Sequence, residues 1–331
     1  MLSVLSHNSA WLKYGGVVLT CDPYNPLNLP PFTLRLAFAH EPGLPGGAGV
    51  PKGSLTYVSG DLQHGTVYDW TYENTDWSGA WDVDGGRTGY GPISVIAGNT
   101  TGVTNMSWLF GNCYDLTDVA LFDTSTVTSM AGMFYECRAL VNAPSFNTQN
   151  VTSFATMFRA CGALVSAPYL DMSSATTVRD MFMNDTNLTY LPLYDTSNVL
   201  DMQSFLAGAR NLSHIPAFDT SSATNMAMML SSCYGLLDVP LLDTSHATDL
   251  SGFMNGCHNV AILPLFNTAS AVNVNRMFYG CLGVEQGALA LYNSMSSQQN
   301  PPTSHSETFY NCGSGTTTGA AELAQIPSDW K

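Results

Sequence analysis

Six cysteines share one spacing: Cys113, Cys137, Cys161, Cys233, Cys257 and Cys281 lie 24 residues apart, or three times 24 between Cys161 and Cys233. Thiols recurring at a fixed interval could cross-link, ligate a metal or simply pack as small apolar groups. Copies of a short repeat would sit about 5 Å apart, within disulfide reach. The two skipped positions carry Asp185 and Ala209, and an alanine on one rung suits a packed column. Buried free thiols are therefore expected, with disulfides and a metal as rivals. Asp185 is expected to cap backbone N–H groups. A second column reads Asp123, Asn147, Asp171, Asp195, Asp219, Asp243 and Asn267. Stacked carboxylates could hold calcium, but calcium takes about six to eight oxygens and two rungs are neutral amides. Asx-turn capping explains Asp and Asn equally well. Neither a cofactor nor a metal site is expected. The histidines, His7, His40, His64, His214, His246, His258 and His305, share no ligand or triad spacing, and no nucleophile elbow or phosphate loop occurs. The chain is expected not to be an enzyme.

These columns need elements that repeat with them. Pro144, Pro168, Pro192, Pro216, Pro240 and Pro264 follow the same period, so about Gly98 to Leu289 divides into eight coils of 24 residues. Met130, Met133, Phe134 and Cys137 stand at i, i+3, i+4 and i+7, as do Phe154, Met157, Phe158 and Cys161. That stripe predicts a short amphipathic helix of about two turns, stable only against its neighbours. After the cysteine, segments such as Leu212, Ile215 and Pro216 predict a short strand that pairs in parallel with its copy about 4.8 Å away. The Asp123-Thr124-Ser125 turn then leads into Val127-Thr128 at the helix start. The expected fold is an α/β repeat solenoid, a leucine-rich-repeat-like stack with one short parallel strand and one short helix per coil, in contact only with the coils above and below.

The phrase FDTSTVTSMAGMFYEC at 122–137, echoed by FNTQNVTSFATMFRAC at 146–161, resembles the BspA-like leucine-rich repeat of bacterial surface proteins. The resemblance covers about 98–289, with a degenerate further copy in SETFYNC at 306–312. It implies a non-catalytic, surface-displayed, adhesin-like scaffold.

The ends differ. Phe32, Leu34, Leu36 and Phe38 alternate as in a half-buried strand, and 55–58 with 66–72 predict a hairpin across Gly60 to Gly65. The stretch 41–53 predicts a loop, 25–31 an attachment arm, and Trp70, Tyr72, Trp77 and Trp81 the aromatic core of a small domain rather than a sugar platform. Residues 1–97 are thus expected to be a β-rich attachment and capping domain, 98–289 the solenoid, and 290–331 a C-terminal cap. In that cap, 313–320 is expected to be a loop, with Leu323, Ile326 and Pro327 repeating the strand.

With 10 basic and 25 acidic residues the net charge is −15, which argues against nucleic acid and anionic membrane surfaces. No apolar run reaches the roughly 20 residues that span a bilayer, and no secretory signal or lipidation motif is read, so membrane insertion is not expected. Two columns vary between coils and are expected to face solvent as a contact strip: Tyr114, Arg138, Arg210, Tyr234 and His258 after the cysteine position, and Asp118, Asn142, Tyr190, His214 and Asp238 two after the leucine. The expected function is binding or adhesion at a surface, foremost as a bacteriophage virion fibre or receptor-binding protein. Host glycan or protein would meet the solenoid, other virion or surface proteins would meet residues 1–97, and self-association is allowed. A bacterial cell-surface adhesin and a capsid or tail decoration protein without host recognition are the alternatives.

Overall fold

The computed structural model describes residues 10–14, 17–21, 27, 29–38, 54–61, 65–79 and 91–331. The 41–53 stretch, Trp81 and part of the 25–31 arm lie outside them.

Strands β1 (Ala10–Tyr14) and β2 (Val17–Cys21) form an antiparallel pair. Strands β3 (Thr33–Phe38), β4 (Ser54–Asp61), β5 (Gly65–Thr71), β6 (Ser94–Asn99) and β7 (Asp118–Val119) form a mixed sheet in the order β4-β5-β3-β6-β7, parallel only between β6 and β7. The alternation in β3 buries Leu34, Leu36 and Phe38 on one face against Trp70 and Trp77, whose rings meet edge-on at 4.9 Å. On the other face Arg35 Nε and Nη2 donate to the two carboxylate oxygens of Asp69 at 2.7 and 2.9 Å, a bidentate cross-strand pair. Strand β7 belongs to the first 24-residue coil, so this sheet is continuous with the repeats.

The expected α/β repeat solenoid is not what the chain forms. Among the described residues, regular structure consists of this mixed five-stranded sheet, the β1–β2 pair, two short α-helices, α1 (Ala288–Ser296) and α2 (Thr317–Gln325), and a single 3-10 turn at Ser328–Trp330, all of these helical pieces at the C-terminal end. The predicted helix is replaced by a run of turns. Within 130–137, the N–H groups of Met130, Gly132, Phe134 and Glu136 donate to carbonyls of the following coil, those of Ser153, Ala155, Met157 and Arg159, at 2.8–3.1 Å. The alternate N–H groups of Met133, Tyr135 and Cys137 donate back three residues. A helix would direct all of them along its own axis. Counting each coil from its Asp/Asn residue, positions 10 and 14 have left-handed φ in all eight coils, as at Trp108 (59°) and Asn112 (60°). An L-residue there costs about 1–2 kcal/mol, and each such turn aims a donor at the next coil. Gly252 and Gly256 fill both places in one coil without that cost. The stripe of Met130, Met133, Phe134 and Cys137 is nonetheless fully buried. Phe134 stacks on Phe158 at 5.5 Å, and Phe158 on Phe182 at 5.6 Å.

The predicted strand in every coil also fails. Beyond β7, this side shows two isolated parallel bridges, Ser166↔Tyr190 and Ile262↔Gln286. Proline in six coils removes a donor at the end of the segment, leaving too few rungs for a strand. The continuous parallel ladder lies instead at position 7, from Asp76↔Asn105 through to Asn273↔Ser304. A third set of rungs is threonine: the hydroxyls of Thr124, Thr148, Thr196, Thr220 and Thr244, all buried, donate to the carbonyl at position 1 of the next coil at 2.6–2.9 Å.

At the C-terminal end, Ser304, Thr308, Phe309 and Cys312 continue the stack after a seven-residue insertion that includes most of α1. The expected loop at 313–320 contains the start of α2, and Leu323 lies within α2, not in a strand. Thr316 caps α2 by accepting the Gly319 N–H at 3.0 Å.

Candidate functional site

The side chains that hold each coil in place occupy most of the groups that could do chemistry. In all eight coils the Asp or Asn at position 1 accepts the N–H two residues on, from Asn99 with Thr101 to Asn267 with Ala269, at 2.9–3.4 Å. These are Asx turns. Serine hydroxyls reinforce three of them, at Asp171, Asp195 and Asp219. Those hydroxyls, joined by the serine N–H, draw the Asp171 and Asp219 carboxyls below the usual carboxylate range.

The seven described cysteines of the stack are buried and none is in a disulfide. Cys137, Cys161, Cys233, Cys257 and Cys281 direct Sγ at a backbone carbonyl of the preceding coil, 3.0–3.2 Å away. Burial pushes their thiols up, Cys233 and Cys281 to about 12, so they are poor nucleophiles. Asp185, on the same rung, is fully buried; its Oδ1 accepts the Cys161 N–H at 2.8 Å, while its Oδ2 has no partner. Burial raises this carboxyl well above the ordinary value, and the Cys161 N–H only partly opposes it.

The two variable columns reach solvent, each with internal contacts. After the cysteine position, the Arg138 guanidinium lies 4.1 Å from the Tyr114 ring centre, and Arg210 lies 5.3 Å from that of Tyr234. Tyr234 in turn stacks on His258 at 4.9 Å with an interplanar angle of 3°. Arg138 also pairs with Glu136 at 2.6 Å. Burial pushes the Glu136 carboxyl up, but hydrogen bonds from Arg138, Tyr135 and Tyr114 outweigh it and hold the group below the usual value. In the other column, His214 Nδ1 lies 2.9 Å from Asp238 Oδ1, with both side chains largely in water. Asp118 and Asn142 are exposed in the same column, as is Tyr190. Among the described residues no hydrogen bond, ion pair or ring contact joins one column to the other.

Between Tyr190 and His214 the surface dips into a groove of about 310 Å³, lined also by Thr189, Leu191, Ser213 and Ile215. No backbone hydrogen bond joins 189–192 to 213–216. His214 oriented by Asp238 has the form of a general base with its positioning carboxylate. Among the described residues no side-chain hydroxyl is hydrogen-bonded to its other ring nitrogen.

Sequence reasoning missed one outward column. Position 23 holds Leu121, Ser145, Tyr169, Leu193, Ala217, Leu241 and Leu265, apolar at every coil but that of Ser145. Yet Tyr169, Leu193, Leu241 and Leu265 each keep 60–69% of their surface in water. The period alone would have revealed the column, but not its exposure.

A family described as a mycoplasma protein of unknown function, DUF285, matches residues 93–189 and 166–264, which together span just over half of the chain. No curated protein and no solved structure matches.

Proposed function

Because the chain belongs to the DUF285 family, we propose a role read from the surface its coils present: a non-catalytic binding protein, displayed on a bacterial cell or a virion, that contacts host glycan or protein through its outward columns. The observation that carries this reading is the contrast between columns. Inward positions repeat the same apolar residues, whereas Tyr190, His214 and Asp238 differ from coil to coil, and Tyr190 and His214 line an open groove. A scaffold that conserves its interior along its own length and varies its exterior is suited to presenting side chains. The kinship of these repeats with BspA-like repeats belongs to the same proposal, as does docking of residues 1–97 onto a cell or particle. The family match is to mycoplasma proteins and brings nothing specific to bacteriophages, which favours the cell-surface adhesin as the second reading beside the virion fibre. Buried cysteines without disulfides are compatible with folding in a reducing compartment before display.

The test is binding of the purified chain to intact host and bacterial cells and to a glycan array, compared with a Tyr190→Ala/His214→Ala variant. Both side chains are exposed, so the variant is expected to fold normally and lose at least about tenfold in affinity. Unchanged binding removes the groove from the site, and turnover of glycans or peptides by the purified chain overturns the non-catalytic reading.

A further inference from the structure

We propose that the position 23 column is a docking rail for a cationic polypeptide segment that carries its own row of apolar side chains. This deepens the binding role above, on which it rests, and names the partner's chemistry. The leucines of the buried column, from Leu116 to Leu236, contribute to folding by leaving water, but Leu193, Leu241 and Leu265 contribute little because they stay in water. Tyr190 and Ile262, on position 20, widen the same face. Over the five coils from Tyr169 to Leu265 the rail runs about 19 Å at the usual spacing of stacked chains. An apolar strip of that length on a chain otherwise covered in Ser, Thr and Asn marks a contact surface.

Charge selects the occupant. The coils' arginines, Arg138, Arg159, Arg179, Arg210 and Arg276, all lie between positions 9 and 16. From position 17 of one coil through position 8 of the next there is no lysine or arginine anywhere from Asp115 to Val274. That same stretch carries Asp195, Asp219 and Asp243, exposed two residues beyond the rail and pinned in place by their Asx turns. A second copy laid face to face would oppose one row of carboxylates with another, and an anionic lipid surface would be repelled likewise. Neutral sugars would satisfy neither the aliphatic side chains nor the carboxylates. A segment with leucine-like side chains flanked by Lys or Arg matches both rows, the apolar row supplying affinity and the carboxylates supplying orientation and on-rate.

The experiment uses the full chain and three fluorescent synthetic peptides of equal length: an amphipathic leucine–lysine peptide, the same pattern with glutamate for lysine, and a glycine–lysine peptide without apolar groups. Anisotropy titrations at low and high salt are expected to show binding of the leucine–lysine peptide alone, weakened by salt. A Leu193→Asn/Leu241→Asn variant, whose substitutions lie in water, is expected to lose about tenfold or more with an unchanged melting temperature. Equal binding of the glycine–lysine peptide, binding of the glutamate peptide, or full affinity in the variant overturns the rail. The two proposals fail separately. Cell binding that needs Tyr190 and His214 but not Leu193 and Leu241 removes the rail and leaves the binding role. Rail-dependent peptide binding with cell binding indifferent to Tyr190 and His214 removes the groove and leaves the rail.

Discussion

Replacing Asp185 by cysteine restores the residue that six of the other seven coils carry, and it is expected to stabilise the fold by an amount that grows with pH. The wild-type carboxyl is fully buried, with one oxygen bonded to the Cys161 N–H and the other without a partner. An unsatisfied buried polar group costs about 1–3 kcal/mol, and a thiol there would find the carbonyl that its counterparts find at 3.0–3.2 Å. Titration adds a second part. Burial raises the folded carboxyl well above its unfolded value, so between the two the folded chain holds a proton that the unfolded chain has lost. Stability then falls as pH rises through that window, by about 1.4 kcal/mol per unit. Below the unfolded value, near 4, both states are protonated and only the polar cost separates wild type from variant. Urea unfolding at several pH values from about 4 to 8 measures this, with the m-value confirming that the midpoint shift is one of stability. An Asp185→Asn variant, which cannot titrate, separates the two parts: its stability relative to Asp185→Cys is expected not to change across the range. A wild type equal to Asp185→Cys at every pH, or a difference that shrinks as pH rises, refutes the reasoning.

Two further outcomes follow from the same coil geometry. Thr220→Val keeps the shape of a buried side chain but leaves the Asp243 carbonyl without the 2.8 Å hydroxyl bond it accepts; urea unfolding is expected to show a loss of about 1–3 kcal/mol, and an unchanged midpoint would deny the threonine rungs a structural role. Disulfide reagents at about pH 8 are expected to leave Cys233 and Cys281 unlabelled in the native chain, since thiols raised to about 12 are roughly one ten-thousandth ionised there, and to label both in denaturant. Fast native labelling of either, read by peptide mass mapping, would show that the column is open to water.

The candidate surface was only partly legible from the residues. Variation between coils pointed to Tyr190, His214 and Arg138 as outward, because a packed column tolerates little change in size. It could not show that His214 is held by Asp238 or that Tyr234 lies flat on His258, since such pairings depend on how far one coil is rotated against the next. Position 23 misled in the opposite direction: uniform apolar residues signal a core wherever periodicity is the only guide, and Leu241 resembles Leu236 in sequence while differing completely in exposure.

The 24-residue period, the inward columns and the acidic balance were determined by the sequence itself, because spacing and residue type are properties of one coil. The path of the backbone between those columns was decided only in the tertiary structure. Residues at i, i+3, i+4 and i+7 line one face both in a helix and in a run of turns with left-handed residues every fourth place, so Met130, Met133, Phe134 and Cys137 are compatible with either. What separates the two is the direction of the N–H groups of Gly132 and Glu136, and that direction is favourable only because Ala155 and Arg159 of the following coil offer carbonyls to receive them.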